Sequence, residues 1–145
     1  MASSNAFWAF GSAFQIGDGA TVEAFTSVAE LVDVVPPQES RDSIQVTHHG
    51  SDNRAHEYLP GLREGGTVNL VLNWLPSNAT QNKATGLRKQ WEDNLNHNFK
   101  IILPDSLGTI SFTGHQTAWN PELPLPSQGK LSVAIKVSGM PSYSQ

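Results

Sequence analysis

Residues 131–137 read LSVAIKV, in which apolar side chains alternate with polar or small ones. Because successive side chains of a β-strand point to opposite faces, four apolar groups share one face: Leu131, Val133, Ile135 and Val137. Residues 67–74 repeat this pattern, and their apolar face holds Val68, Leu70, Leu72 and Trp74. Two such segments predict an antiparallel sheet that buries one face and leaves the other polar.

The N-terminal region predicts a β-hairpin. Phe7–Ile16 is rich in aromatic residues and ends at Gly17-Asp18-Gly19, which is a strong turn signal. Thr21–Val35 follows as an extended run of mixed period, so a bulge or bend is expected near Thr26-Ser27. Two prolines, Pro36 and Pro37, end this second strand.

Two further strands are predicted between the segments that define the sheet. Phe99–Leu103 is apolar, and Thr109–Trp119 alternates in the same way as residues 131–137. Asn120–Gln128 contains three prolines and is expected to be an extended loop.

One helix is predicted, over Ala79–Asn94, with Ser77 or Asn78 as its N-cap. Its apolar stripe has spacings of three and four residues and consists of Ala84, Leu87, Trp91 and Leu95. Gly86 weakens this helix by about 1 kcal/mol relative to alanine, so the helix must be stabilised by docking. The predicted fold is therefore a mainly β protein: an antiparallel β-sandwich or barrel with one flanking helix.

The chain of 145 residues is expected to form one domain, residues 1–145, with an arm over residues 37–62. The arm has little apolar sequence and holds three of the five histidines. A long polar segment within a compact domain is usually functional or contacts a partner, so we interpret it as an inter-subunit loop.

Composition excludes several classes of protein. The formal net charge is −4, whereas a dedicated nucleic-acid binder needs a basic surface. Cysteine is absent, which favours folding in a reducing compartment. The start of the chain is a poor signal peptide, and no apolar stretch approaches the roughly 20 residues of a membrane helix. These observations predict a soluble intracellular product.

No catalytic or metal-binding constellation is predicted. His48, His49 and Asp52 form a short cluster with His56 nearby, but the His-x-His-x-Asp-His run of metallo-β-lactamase-like hydrolases is missing. Three converging ligands with supporting partners are needed for a metal site, so the cluster is interpreted as a solvated loop. Without cysteine or a Gly-x-Ser-x-Gly elbow, nucleophilic catalysis is not supported either. We expect no enzyme activity and no cofactor.

The order of short motifs resembles a known family. Residues 98–105 read NFKIILPD, residues 109–114 read TISFTG, residues 119–122 read WNPE, and residues 131–139 read LSVAIKVSG. With SRDSIQVTH at 40–48 and YLPGLREGG at 58–66, these segments resemble the major tail tube proteins of long-tailed, non-contractile (siphovirus-type) bacteriophages. The resemblance covers roughly residues 28–140; the aromatic N-terminus, His48 and His49 have no counterpart in it.

The resemblance implies a structural virion protein that self-assembles into hexameric rings, which stack into the hollow tail tube. DNA would pass through the lumen without specific binding. Implied partners are further copies of the chain, a tape-measure protein, a tail terminator and tail-tip proteins. The expected location is the virion tail, after assembly in the host bacterial cytoplasm.

Two groups of residues are candidates for this function. Contacts between subunits or rings are expected from the arm, through Arg41, Asp42, Asp52, Arg54, Tyr58 and Arg63. DNA passes through such a lumen without binding to it only if the wall is neutral to acidic. The first 39 residues contain five acids and neither lysine nor arginine. The acidic lumen candidates are Glu23, Glu30 and Asp33.

Two alternatives remain open. The polar strand faces are equally well explained by solvent exposure of a monomeric sandwich. A carbohydrate- or receptor-binding β-sandwich of a phage particle is the other reading, in which surface tryptophans would supply stacking platforms. Trp74 and Trp91 lie on apolar faces and are expected in the core, whereas Trp8 and Trp119 are candidates for the surface.

Overall fold

A computed structural model describes residues 3–145 of the chain. These residues form nine strands and one α-helix, in the order β1 Ala13–Gly17, β2 Phe25–Ser27, β3 Leu31–Val35, β4 Ser40–Gln45, β5 Tyr58–Glu64, β6 Thr67–Asn73, α1 Leu87–Glu92, β7 His97–Ile102, β8 Thr109–Glu122 and β9 Lys130–Ser144. Single 3₁₀ turns lie at Asp52–Arg54 and Pro104–Ser106. The mainly β, antiparallel prediction is confirmed.

Seven strands form one sheet in the order β2-β1-β7-β8-β9-β6-β3, and β4 pairs with β5 in a separate two-stranded sheet. The large sheet is built on the long ribbon of β8 and β9. Pairings at the two ends of this ribbon run from Thr109↔Ser144 to Glu122↔Lys130. At the Thr109–Ser144 end of the ribbon, β7 pairs with β8. At the Glu122–Lys130 end, β6 pairs with β9.

The alternating segments pack as predicted. Four residues of β9 are buried on one face: Leu131, Val133, Ile135 and Val137. From β6 the buried residues are Val68, Leu70 and Leu72, while Trp74 is half-buried just beyond the strand. Three phenylalanines, Phe14, Phe99 and Phe112, complete the core with ring centroids 5.5–6.3 Å apart. Contacts between offset or tilted rings add to the stabilisation from burial.

The N-terminal prediction is correct in part. β1 and β2 pair antiparallel across the predicted turn, with Gln15 opposite Ser27. The run Thr21–Val35 is not one bent strand, however, because it divides into β2 and β3. Glu30 lies between them with φ +53°, a left-handed conformation that ends a strand. β3 then pairs with β6 at the other end of the sheet.

The predicted helix over Ala79–Asn94 is wrong in its first half, which forms turns. Gly86, not Ser77 or Asn78, is the N-cap of the six-residue helix. Side-chain oxygens of Asn78 and Asn82 accept bonds from the backbone N–H groups of Thr80 and Thr85, which favours turns over a helix. Of the predicted stripe, Leu87 is fully buried and Trp91 half-buried, whereas Ala84 and Leu95 are exposed.

The short helix docks through two buried amides. Gln116 of β8 donates to the carbonyl of Leu87, and Gln90 donates to the carbonyl of Gly17 at the end of β1. Leu87 itself reaches the core from α1. The helix therefore packs against the sheet through these two hydrogen bonds and Leu87.

Candidate interaction surfaces

Residues 37–62 do not form an unstructured loop, because most of them belong to a β-hairpin. β4 and β5 pair antiparallel, with Arg41 opposite Arg63 and Ile44 opposite Leu59. The register shifts between these rungs, around Asp42. Every residue of the two strands is exposed except Gly61, which is half-buried. We call the hairpin Ser40–Glu64 the arm.

The tip of the arm is held by its own polar groups. The backbone N–H of Val46 donates to Glu57, which extends the pairing toward the tip. Ser51 donates to the Glu57 carboxylate at 2.5 Å, and His48 lies 3.4 Å from the same carboxylate. His56 contacts Gln45 and Thr47. The polar cluster around His48 therefore orders the tip, and residues 3–145 contain no group of three potential metal ligands.

The base of the arm is fixed to the main sheet. Glu64 forms an ion pair with Lys136 of β9. The hydrogen bond from Lys136 and its positive charge lower the pKa of the Glu64 carboxyl. Gly66 follows at φ +77°, and a side chain there would overlap the backbone carbonyl of Gln38. The two chain segments that lead into the arm therefore pass in contact.

The structure divides the six predicted arm residues between three parts of the hairpin. Arg41, Asp42 and Arg63 lie near its base, and Tyr58 begins β5. Asp52 and Arg54 lie in the 3₁₀ turn at the tip. The prediction that these residues are available for contacts agrees with their exposure, but the contacts themselves remain a prediction.

The three predicted lumen acids have different surroundings. Glu23 accepts bonds from the backbone N–H of Gly19 and from Asn98 of β7. Glu30 accepts a bond from Asn73 at the end of β6. Asp33 is exposed on β3. β7 and β6 are separated by β8 and β9 in the sheet order, so the three carboxylates do not form one cluster.

An apolar groove runs along β3, and the sequence patterns did not predict it. Its volume is about 380 Å³, and its lining is mostly apolar, with large side chains from Phe7, Phe10, Leu31, Val32, Val34, Ile101 and Leu103. Trp8 stacks on Phe10 at 4.9 Å and is 77% exposed. The aromatic run of the N-terminus was the only signal for this surface. We call it the β3 groove.

Trp74 and Trp119 do not form a free stacking platform. Trp74 and Trp119 are half-buried and both line a second groove near α1. The guanidinium of Arg88 covers the ring of Trp119 at 5.3 Å from its centroid. Trp119 is therefore already engaged in a cation–π contact.

Across residues 3–145, no helix is long and apolar enough to cross a membrane.

Comparison with known proteins identifies the family. A sequence model described as lambda phage tail tube protein, TTP, matches residues 8–144. The chain belongs to the lambda phage tail tube protein family. Membership of this family gives the protein a structural role in the tail of phage-like particles. No curated protein sequence matches the chain.

Solved tube proteins share the fold at low sequence identity. A chain from the tail of an empty GTA particle, refined with C6 symmetry, is 18% identical, with a TM-score of 0.72 over 91% of this chain and 96% of that one. The tail tube of SPP1 is 11% identical, with a TM-score of 0.64 over 92% and 76%. The sheath/tube terminator of the PVC extracellular contractile injection system is 12% identical, with a TM-score of 0.73 over 99% and 100%.

Proposed function

We propose that the protein is the tail tube subunit of a long-tailed, siphovirus-type phage and that it assembles into hexameric rings stacked around a lumen for DNA. The family match over residues 8–144 carries this proposal. A C6-symmetric tail among the similar folds is consistent with six subunits per ring. The partners would be further copies of the chain, a tape-measure protein in the lumen, and terminator and tip proteins at the ends. Assembly would take place in the cytoplasm of the host bacterium.

The arm is the proposed inter-subunit element. Its apolar side chains are exposed in the single chain, including Ile44, Tyr58, Leu59 and Leu62. Exposed apolar surface of this kind is typical of an interaction site. Its strands also leave unpaired edges, which in a monomer would promote non-specific pairing and which assembly would cover.

Electron microscopy of the purified protein at several concentrations, with sedimentation velocity, tests the proposal. We expect rings or hollow tubes from the intact chain. A variant in which a Gly-Ser turn replaces residues 40–64 should keep the thermal unfolding of the main sheet and form no tubes. Full-length tubes from this variant would contradict a role for the arm. A strict monomer that binds a glycan with quenched tryptophan fluorescence would instead support the binding-module alternative.

An acidic lumen remains a proposal for Glu23 and Glu30. Glu23→Gln and Glu30→Gln remove the charges, and each amide keeps one acceptor oxygen for the bonds from Gly19 and Asn73, while the second bond of Glu23, from Asn98, is lost. If these carboxylates repel DNA, particles with both substitutions should eject DNA more slowly, and more so at low salt. Unchanged ejection at low salt would show that these two acids do not line the channel. Asp33 stays the third candidate, and it also belongs to the lining of the β3 groove.

A further inference from the structure

The β3 groove combines an apolar lining with a single negative charge. Asp33 is the charged side chain in this lining, and most of the other residues are apolar. Asp33 forms no ion pair within residues 3–145. When a partner covers the groove, water is excluded from around Asp33. A cationic side chain of that partner would then interact strongly with the carboxylate, because little water remains to screen the two charges.

The arm carries the complementary charge at its base. Arg41 and Arg63 face each other on one rung, and like charges in that position destabilise a strand pair. Neither guanidinium forms an ion pair within residues 3–145. An aromatic side chain accompanies them on the same face of the hairpin: Tyr58 pairs with Gln45, the fourth residue after Arg41 on β4, and is more than half exposed. One face of the arm therefore combines two unpaired cations with an exposed aromatic group.

The geometry points to the β3 groove as the receptor for the arm of a second copy of this chain. Asp33 of one subunit would lie between the guanidinium groups of Arg41 and Arg63 from another. Tyr58, on the same face as the two arginines, would contact the apolar lining. This inference deepens the proposed function and rests on it, because it names the surface that receives the proposed inter-subunit element.

The arrangement also defines the type of assembly. The arm and the groove are different surfaces, so each subunit donates one arm and receives another. Contacts of this heterologous kind form rings when the rotation between subunits closes, and open filaments when it does not. An isologous dimer, in which both partners use the same surface, does not follow from this pairing.

Charge reversal with rescue tests the pairing. Asp33→Arg alone, and Arg41→Glu with Arg63→Glu, should each raise the protein concentration needed for assembly about tenfold or more, because each places like charges in contact. All three substitutions in one chain should restore assembly in large part. All three sites are exposed, so thermal unfolding of each variant should match that of the unaltered chain. Assembly that is indifferent to the single reversals, or reversals that are not rescued, would overturn the inference.

Disulfide trapping separates this inference from the proposed function. The chain has no cysteine, so introduced thiols are the only ones present. A mixture of Val32→Cys and Tyr58→Cys chains should form a disulfide-linked dimer under mild oxidation, since Val32 lines the β3 groove and Tyr58 lies on the arm, on the same face as Arg41. The matched control mixes Val32→Cys with Leu125→Cys, a fully exposed residue in the loop between β8 and β9.

The outcomes of trapping and microscopy are distinct. Tubes from the unaltered chain with equal trapping in both mixtures would leave the proposed function standing and overturn the groove as receptor. Selective trapping of the Val32–Tyr58 pair without rings or tubes would support arm-to-groove docking and contradict the ring assembly.

Discussion

Gly66 and Gln38 cross at the base of the arm so closely that a β-carbon on Gly66 would overlap the carbonyl oxygen of Gln38. Gly66 also has φ +77°, a conformation that other residues rarely adopt. The position therefore requires glycine for two reasons, backbone conformation and space. Gly66 lies between the arm and strand β6 of the main sheet. The side chains of the two arm strands are exposed and do not belong to the core.

Comparison of Gly66→Ala with Gly19→Ala should separate the effect of backbone conformation from the effect of limited space. For Gly66→Ala we expect a loss of about 2–4 kcal/mol in the free energy of unfolding, because strain and overlap act together. Gly19→Ala is a matched control, since Gly19 has φ +75° and open space around it. The control should lose only about 1 kcal/mol. Equal losses in denaturant titrations would show that the overlap with Gln38 is relieved at no cost.

Gln81 is a buried polar side chain that organises the backbone around it. It is 1% exposed. Its amide oxygen accepts from the N–H of Leu75, and its amide nitrogen donates to the carbonyls of Ala29 and Asn73. Gln81→Ala leaves these groups unpaired and should cost about 3 kcal/mol. Gln128→Ala removes one long bond to Asn73 at an exposed site and should change stability little. Similar unfolding midpoints for the two variants would contradict this role.

Asp93 should make the stability of the fold depend on acid. Partial burial acts to raise the pKa of its carboxyl, but hydrogen bonds from His97 and from the N–H of Leu95, with nearby positive charge, outweigh this and lower the pKa. The unfolded state then binds more protons, so stability is full above the unfolded pKa of about 4 and falls as the pH drops through the folded pKa. Asp93→Asn should lose this part of the fall in urea titrations between pH 7 and 2. Parallel stability curves for the two proteins would rule the contribution out.

The core should respond to truncation in the way its burial indicates. Leu72 is fully buried on β6, and Leu72→Ala should cost about 2–5 kcal/mol through lost burial and the cavity that remains. Leu62→Ala, on the arm, should change stability by about 0.5 kcal/mol or less. Chemical denaturation measures both. A large loss at Leu62 would mean that the arm packs on the sheet in the isolated chain.

Local periodicity predicted the strands whose two faces differ. In β6 and β9 every second residue over 68–72 and 131–137 is buried, and the residues between them are half-buried or exposed, so alternation alone indicated the orientation of these strands. The first half of the helix prediction was wrong because residues 78–86 form turns. These turns depend on backbone N–H groups that donate to the side-chain oxygens of Asn78 and Asn82, and on the close approach of Gly86 to Gln81. Such contacts between residues depend on three-dimensional packing and leave no periodic pattern in the sequence.

The candidate surfaces were predicted less completely than the strands. The arm was located from its polar composition, but its strand pairing was missed because its exposed strands lack a buried face. The β3 groove combines Phe7, Leu31 and Ile101 from three distant parts of the chain. Its position depends on β3 leaving β2 and crossing to β6, and the left-handed Glu30 that permits this has no distinctive sequence signal.

The long β8–β9 ribbon gives the subunit a direction of mechanical strength. Hydrogen bonds between antiparallel strands lie perpendicular to the strands. Tension applied along the ribbon, from Glu122 of β8 toward Ser144 of β9, loads many of these bonds in shear at the same time. Tension across the ribbon opens them one after another, beginning at an end. The subunit should therefore resist stretching along the ribbon at forces that would readily unzip it from the side.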